Sequence, residues 1–372
     1  MIGRRDCSDR ERREGMKTMN KDWAEKNKEI QTLLSKEATF REAVRKLTEF
    51  RGELFQQIIW MAESYPKEAF YQMPFAGADG YHSKTLAYSM WHIFRIEDII
   101  AHTLIIGDEQ ILFAGKWQER TGSPIITTGN ELRGEEIAAF SKKLDIKELL
   151  AYCKAVKDST DELLRGLTYK GLKRKFSDED KKRVIDSRSV STDEAAVWLT
   201  DYWCDKDVRG LIKMPFSRHW IMHIEAMCRI KDQLCRIARK GADPIARCGL
   251  SCNHCFLRNW CGGCRTAYNT CSNAMNQPDK VCPSVSCCRQ KGIDGCYECD
   301  ELVNCRHGFY AYDDVNAVKA SALFIRKYGK KELLKTMDQL HREQNFEKIQ
   351  EVLGNDLEEG LAVLEKTRRG MN

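Results

Sequence analysis

Twelve cysteines crowd between Cys248 and Cys305, in a stretch where apolar residues are sparse, glycines are frequent and helical periodicity disappears. A segment so poor in apolar side chains cannot close a hydrophobic core by itself, so cross-links through metal are the physical alternative. Three Cys-x2-Cys pairs stand out: Cys252/Cys255, Cys261/Cys264 and Cys296/Cys299. Two sulfurs at that spacing can grip one metal from a tight turn. Gly262 and Gly263 lie inside the second pair, where such a turn favours glycine. Cys248, Cys271, Cys282, Cys287, Cys288 and Cys305 complete the run. Zinc and iron–sulfur ligation both fit the spacing, and twelve thiolates would satisfy three four-sulfur sites. Unligated buried thiols and disulfides are the alternatives.

The 372-residue chain has 17 cysteines in all, so the remaining five are scattered. Its first residues, MIGRRDCSDRERREG, are charged and contain no apolar targeting core. No apolar run approaches the ~20 residues that span a bilayer. The expectation is a cytoplasmic protein with reduced thiols and no membrane contact. Residues 1–18 read as a disordered tail, with Met16 and Met19 as alternative starts. The formal charge of +6 is a small surplus of 61 basic over 55 acidic residues. No helix concentrates a basic face with stacking aromatics, so no nucleic-acid partner is expected. The densest basic stretch, residues 170–188, is interrupted by Asp178, Glu179 and Asp180 and reads as a solvated loop.

From Lys21 to about Ala238 the pattern is helical. Val44, Leu47, Phe50, Leu54, Ile58 and Met61 recur at spacings of three and four, and Pro66 ends that helix. Further helices are expected over residues 83–106, stopped by Gly107, and over 145–167. A supporting helix is expected over 192–212 with Thr192 as N-cap, and a long one from Pro215 to about Arg239, closed by Gly241. Residues 108–144 read as a long crossover. Helices return over 315–328, 331–342, 346–353 and 357–368. The fold class expected is mainly α: a four-helix bundle, then a small cysteine-rich metal- or cluster-binding module with a helical C-terminal tail. The implied division is an N-terminal extension over 1–39, partly disordered or helical, a bundle over 40–243, the cysteine module over 244–312 and a helical region over 313–372.

His219 and His223 are one helical turn apart, on a stripe that continues through Ala226, Ile230 and Leu234. Two inward imidazoles at that spacing can share a divalent metal if a third ligand comes from another helix. His92, in line with Tyr88, Ile96 and Ile99, is the best candidate. A histidine on an apolar face can also be a satisfied core residue. His82, His102 and His341 lack a histidine at helical spacing and read as surface or packing residues. Glu97 and Glu225 are candidate acid/base or supporting groups, against the plainer reading of exposed helix positions.

The stretches SMWHIFRIEDIIAHTLI around His92 and PFSRHWIMHIEAMCRIKDQL around His219 and His223 resemble the DinB, or YfiT-like, family of metal-binding four-helix bundles, over roughly residues 40–238. The resemblance implies a divalent metal (Zn, Ni, Mn or Fe) held by His92, His219 and His223 with positions left for water or substrate. It also implies thiol S-transfer with a low-molecular-weight thiol such as bacillithiol or mycothiol, hydrolysis, or the isomerase chemistry of another branch. A homodimer is compatible with it. Members often carry a small residue and Gln soon after the last histidine; here the residues are Ile224, Glu225 and Ala226. Residues 247–328 resemble a cysteine-rich prokaryotic domain family of uncharacterised function. The function expected is a metal-dependent transferase or hydrolase acting on a small molecule; the alternative is a non-catalytic metal-binding or redox-sensing protein.

Overall fold

The computed structural model describes residues 9–258, 261–312 and 316–371. Among them there is no strand, only two isolated bridges, and the protein is mainly helical. They divide into two compact units, one of Met19–Lys231 and one built on residues 232–371, to which residues 9–18 are also assigned.

α1 (Asp9–Leu33), which belongs to the first unit from Met19 on, begins within the stretch expected as a tail, while residues 1–8 lie outside the described residues. α2 (Phe40–Ser64) buries the stripe from Val44 to Met61 that its spacing predicts. α3 (Leu86–Asp98) is buried on every side, its polar residues Arg95, Glu97 and Asp98 included. Thr85 caps it by accepting from the Tyr88 amide at 3.0 Å. The helix runs on as a π-helical segment, Ile99–Ile106, and stops at Gly107, whose φ of 85° is left-handed. α4 (Ile146–Gly166) is capped by Asp145. A π-helical turn, Met214–Arg218, carries Pro215 at its start and leads directly into α5 (His219–Lys240).

Three connections differ from the sequence expectation. Residues 192–212 do not form one helix capped by Thr192. They form Trp198–Cys204 and Val208–Lys213, the latter capped by Asp207, which accepts from Gly210 N at 2.8 Å. Short acidic side chains that bond their own backbone compete with helix continuation, and Asp193 does the same to Ala195 N. The crossover over 108–144 contains the short helices Ile111–Ala114, Trp117–Thr121 and Glu135–Lys143. The basic stretch contains a helix, Asp178–Asp186, opened by a reciprocal Ser177/Asp180 capping box.

Arg51 on α2 locks the four long helices α2–α5 together. Its guanidinium donates to both Glu97 oxygens on α3 (2.6 and 2.9 Å), to Asp161 on α4 (2.7 Å) and to the Phe216 carbonyl just before α5 (2.9 Å). Trp220 on α5 donates to Glu97 at 2.8 Å and lies under the guanidinium. Glu97 and Arg51 are fully buried, so the pair survives only because every partner is in place.

In the second unit, α6 (Pro283–Lys291) lies within the cysteine segment, and α7 (Asn316–Tyr328), α8 (Lys330–Gln344) and α9 (Leu357–Gly370) follow it. Val318, Phe324, Leu333, Met337 and Leu364 form a core that Ile245, Tyr297, Leu302 and Tyr310 join. The cysteine segment therefore shares the apolar core of the C-terminal helices. Asp294 is the polar hub, bonded by Arg265 (2.6 Å), Lys330 and Tyr297.

Candidate metal centre

His92 on α3 and His219 and His223 on α5 meet inside the first unit. One nitrogen from each lies within 4.8 Å of the others, and all three residues are buried, with 6%, 7% and 2% of their surface exposed. Nε2 of His92 and Nε2 of His219 are 3.3 Å apart. Two nitrogens ~2.0–2.1 Å from one tetrahedral ion stand ~3.3–3.4 Å apart, so this spacing fits a shared divalent metal. It also fits a single N–H···N hydrogen bond, but that bond leaves both nitrogens of His223 and Nδ1 of His219 buried without a partner. An unpaired buried polar atom costs about 1–3 kcal/mol. Burial holds the His92 imidazole down to about 4, against the help of its bond to the Thr128 carbonyl. Burial also lowers His219 and His223, reinforced by the neighbouring imidazoles. The three rings are thus neutral at pH 7 and carry lone pairs, which is the donor state a metal requires.

A backbone strap sets the His92 tautomer. The carbonyls of Ile126, Thr127, Thr128 and Gly129 accept in turn from Arg95, Trp91, His92 and Tyr88, all on α3. His92 donates Nδ1–H to Thr128 O at 2.9 Å, so its Nε2 presents the lone pair. Tyr88 stacks on His92 with ring planes 11° apart, as the shared stripe predicts.

The sequence reading missed two residues beside the site. The Tyr81 ring meets His223 edge-on at 4.6 Å. Lys84 is partly buried, its ammonium pKa is lowered by that burial, and its charge depresses His92 and His223. The signal was available: Lys84, Tyr88 and His92 repeat at intervals of four, although Lys84 precedes the helix. Glu97 is committed to Arg51 and Trp220 and has no share in the site's chemistry, while Glu225 pairs with Arg229 at 2.7 Å. His102 bonds Asp108 and Ser159 as a packing residue.

No disulfide joins any two of the twelve clustered cysteines. Cys248, Cys252, Cys255, Cys261, Cys264, Cys271 and Cys282 line one cavity; Cys287, Cys288, Cys296, Cys299 and Cys305 line another. Among the described residues, the three histidines form the one group whose donor atoms all approach within 4.8 Å. The Cys288 and Cys296 sulfurs are 3.7 Å apart.

No protein-family model and no curated protein matches this chain. Among the described residues, no helix is long and apolar enough to cross a membrane.

Proposed function

We propose that the chain is a metal-dependent protein of the DinB type that holds a divalent ion at His92, His219 and His223. Its proposed chemistry is thiol S-transfer or hydrolysis on a small molecule. The observation that carries this reading is the convergence of three buried, neutral imidazoles from two helices, with both nitrogens of His223 and Nδ1 of His219 left without a partner. Zinc, nickel, manganese or iron(II) suits an all-imidazole donor set. When bound, the ion supplies positive charge that lowers the pKa of a coordinated thiol or water.

The chain's own residues do the rest. Thr128 holds His92 in the tautomer that exposes Nε2. Burial keeps competing protons off all three rings. Lys84 gives an anionic group, a thiolate or a carboxylate, a second positive partner beside the histidines. Tyr81 is partly exposed and packs edge-on against His223, so the site lies one ring from the surface on that side. A low-molecular-weight thiol is the co-substrate this arrangement favours, since a soft thiolate binds such an ion tightly and is the nucleophilic form.

The test is conjugation of a small thiol to a model electrophile with divalent metal added. Wild type is expected to turn over, and His219→Ala and His223→Ala to lose metal and activity together. Cys299→Ser should retain the rate. Equal rates for wild type and His219→Ala would reject an enzymatic role for this site.

A further inference from the structure

We infer that the seven-cysteine cavity is the binding site of a polynuclear iron–sulfur cluster, ligated by Cys255, Cys261, Cys264 and Cys282. Size is the first argument. The cavity measures about 90 Å³, whereas one water needs ~10–15 Å³ on the same scale. A single zinc ion would leave most of that space empty against Leu250, Phe256, Leu257 and Phe309, walls that do not hold water. A body of several atoms fills it.

Sulfur spacing is the second argument. Thiolates sharing one tetrahedral zinc at ~2.3 Å stand ~3.8 Å apart. Among the described residues no three of the cavity's sulfurs come within 4.8 Å of one another, although the three imidazoles of the other unit do. Cys271 and Cys282 touch as a pair, but no third sulfur joins them, and thiols distributed around a cavity match a cluster whose ligands sit on different irons.

The third argument is that donors are already aimed at four sulfurs. Leu257 N donates to Cys255 (3.4 Å), Gly263 N to Cys261 (3.3 Å), Arg247 N to Cys264 (3.2 Å) and the buried Asn273 amide to Cys282 (3.1 Å). N–H···S bonds to the coordinating sulfurs are what tune such clusters. The turn that places Cys261 and Cys264 needs its glycines: a Cβ on Gly262 would lie 2.4 Å from that of Tyr268, and Gly263 has φ 86°. Charge is the fourth. Four thiolates leave a cluster anionic, and Arg239, Arg247 and Arg258 line the cavity. Nε of Arg247 is a buried donor without a partner among the described residues. On assembly each ligating thiol releases its proton to solvent.

The experiment uses the full chain, purified without oxygen and supplied with ferrous and ferric iron and inorganic sulfide. Iron, acid-labile sulfide and the visible absorption spectrum are measured. Iron and sulfide are expected together, with charge-transfer absorption that bleaches on reduction. Cys264→Ser and Cys282→Ser should each lower cluster content about tenfold or more, with circular dichroism reporting whether the helices persist. A variant that unfolds is replaced by Asn273→Leu, which removes one N–H···S donor and should shift the reduction potential of the bound cluster. Cys299→Ser, in the other cavity, should retain the cluster. His219→Ala should also retain it, which separates this inference from the three-histidine reading. Stoichiometric zinc without sulfide, a disulfide between any two of the seven cysteines, or loss of the cluster in Cys299→Ser but not in Cys264→Ser would overturn it.

Discussion

At the scale of single residues, His92 couples the strap to the site. Its Nδ1 is committed to Thr128 O, so whatever moves residues 126–129 also turns the ring. Gly129 has φ 79°, and a Cβ there would stand 3.1 Å from the Tyr88 ring. Gly129→Ala is therefore expected to cost about 1–3 kcal/mol of stability through backbone strain. Loss of the ring's orienting bond should weaken metal binding by about 10–100-fold. Denaturation and metal titration on the same samples check both, and an unchanged affinity would detach the strap from the site. His223, with both nitrogens unpaired, has the opposite character. A divalent ion at about 100 times its Kd should add ~2.7 kcal/mol to the wild type's unfolding free energy. His223→Ala should show no such increment in a thermal or chemical melt.

Among the elements, the four long helices of the first unit owe their mutual placement to Arg51 as much as to apolar stripes. Glu97→Ala leaves a buried guanidinium half-paired and is expected to lower stability by about 3–5 kcal/mol. Glu97→Gln, which keeps hydrogen-bonding capacity, should lose less. Urea denaturation of the two variants measures the difference, and equal small losses would reject the network as the clamp. The stripe from Val44 to Met61 was legible in sequence because helical period and burial coincide there. Glu97 was not: its partner Arg51 is 46 residues away and nothing local distinguishes it from an exposed acid. The strap was equally hidden, because its acceptors are backbone carbonyls, which every residue type carries. The helix expected over 192–212 failed because Asp193 and Asp207 satisfy local amides, a competition that apolar periodicity does not register. His219 and His223 were readable as an inward pair from their spacing and shared apolar stripe, and His92 from its own stripe; Tyr81 lies in a short turn where helical periodicity has no meaning, whereas Lys84 continues the Tyr88–His92 spacing just before the helix.

For the molecule as a whole, the two units carry separate chemistry and separate sensitivities. In the second unit Asp294 is held well below the ordinary carboxylate range, chiefly by its bonds from Arg265, with Lys330 and Tyr297 assisting. A depressed folded-state pKa contributes stability that is present above the unfolded value near 3.8 and lost as pH falls below it. Acid unfolding of the wild type should therefore steepen below that value. Asp294→Asn should be less stable at neutral pH and lose less on acidification; parallel pH profiles would contradict this. The cysteine segment closes its core with residues from outside itself. Its own apolar residues are few, yet Tyr297, Leu302 and Tyr310 enter the core of α7–α9, a pairing that only the folded chain displays. The central claim is that His92, His219 and His223 are metal ligands, and anomalous diffraction from crystals grown with a divalent ion tests it most directly. One peak ~2.0–2.2 Å from Nε2 of His92 and from one ring nitrogen each of His219 and His223 is predicted. No density among these three rings, with the ion found solely among the cysteines, would contradict the account.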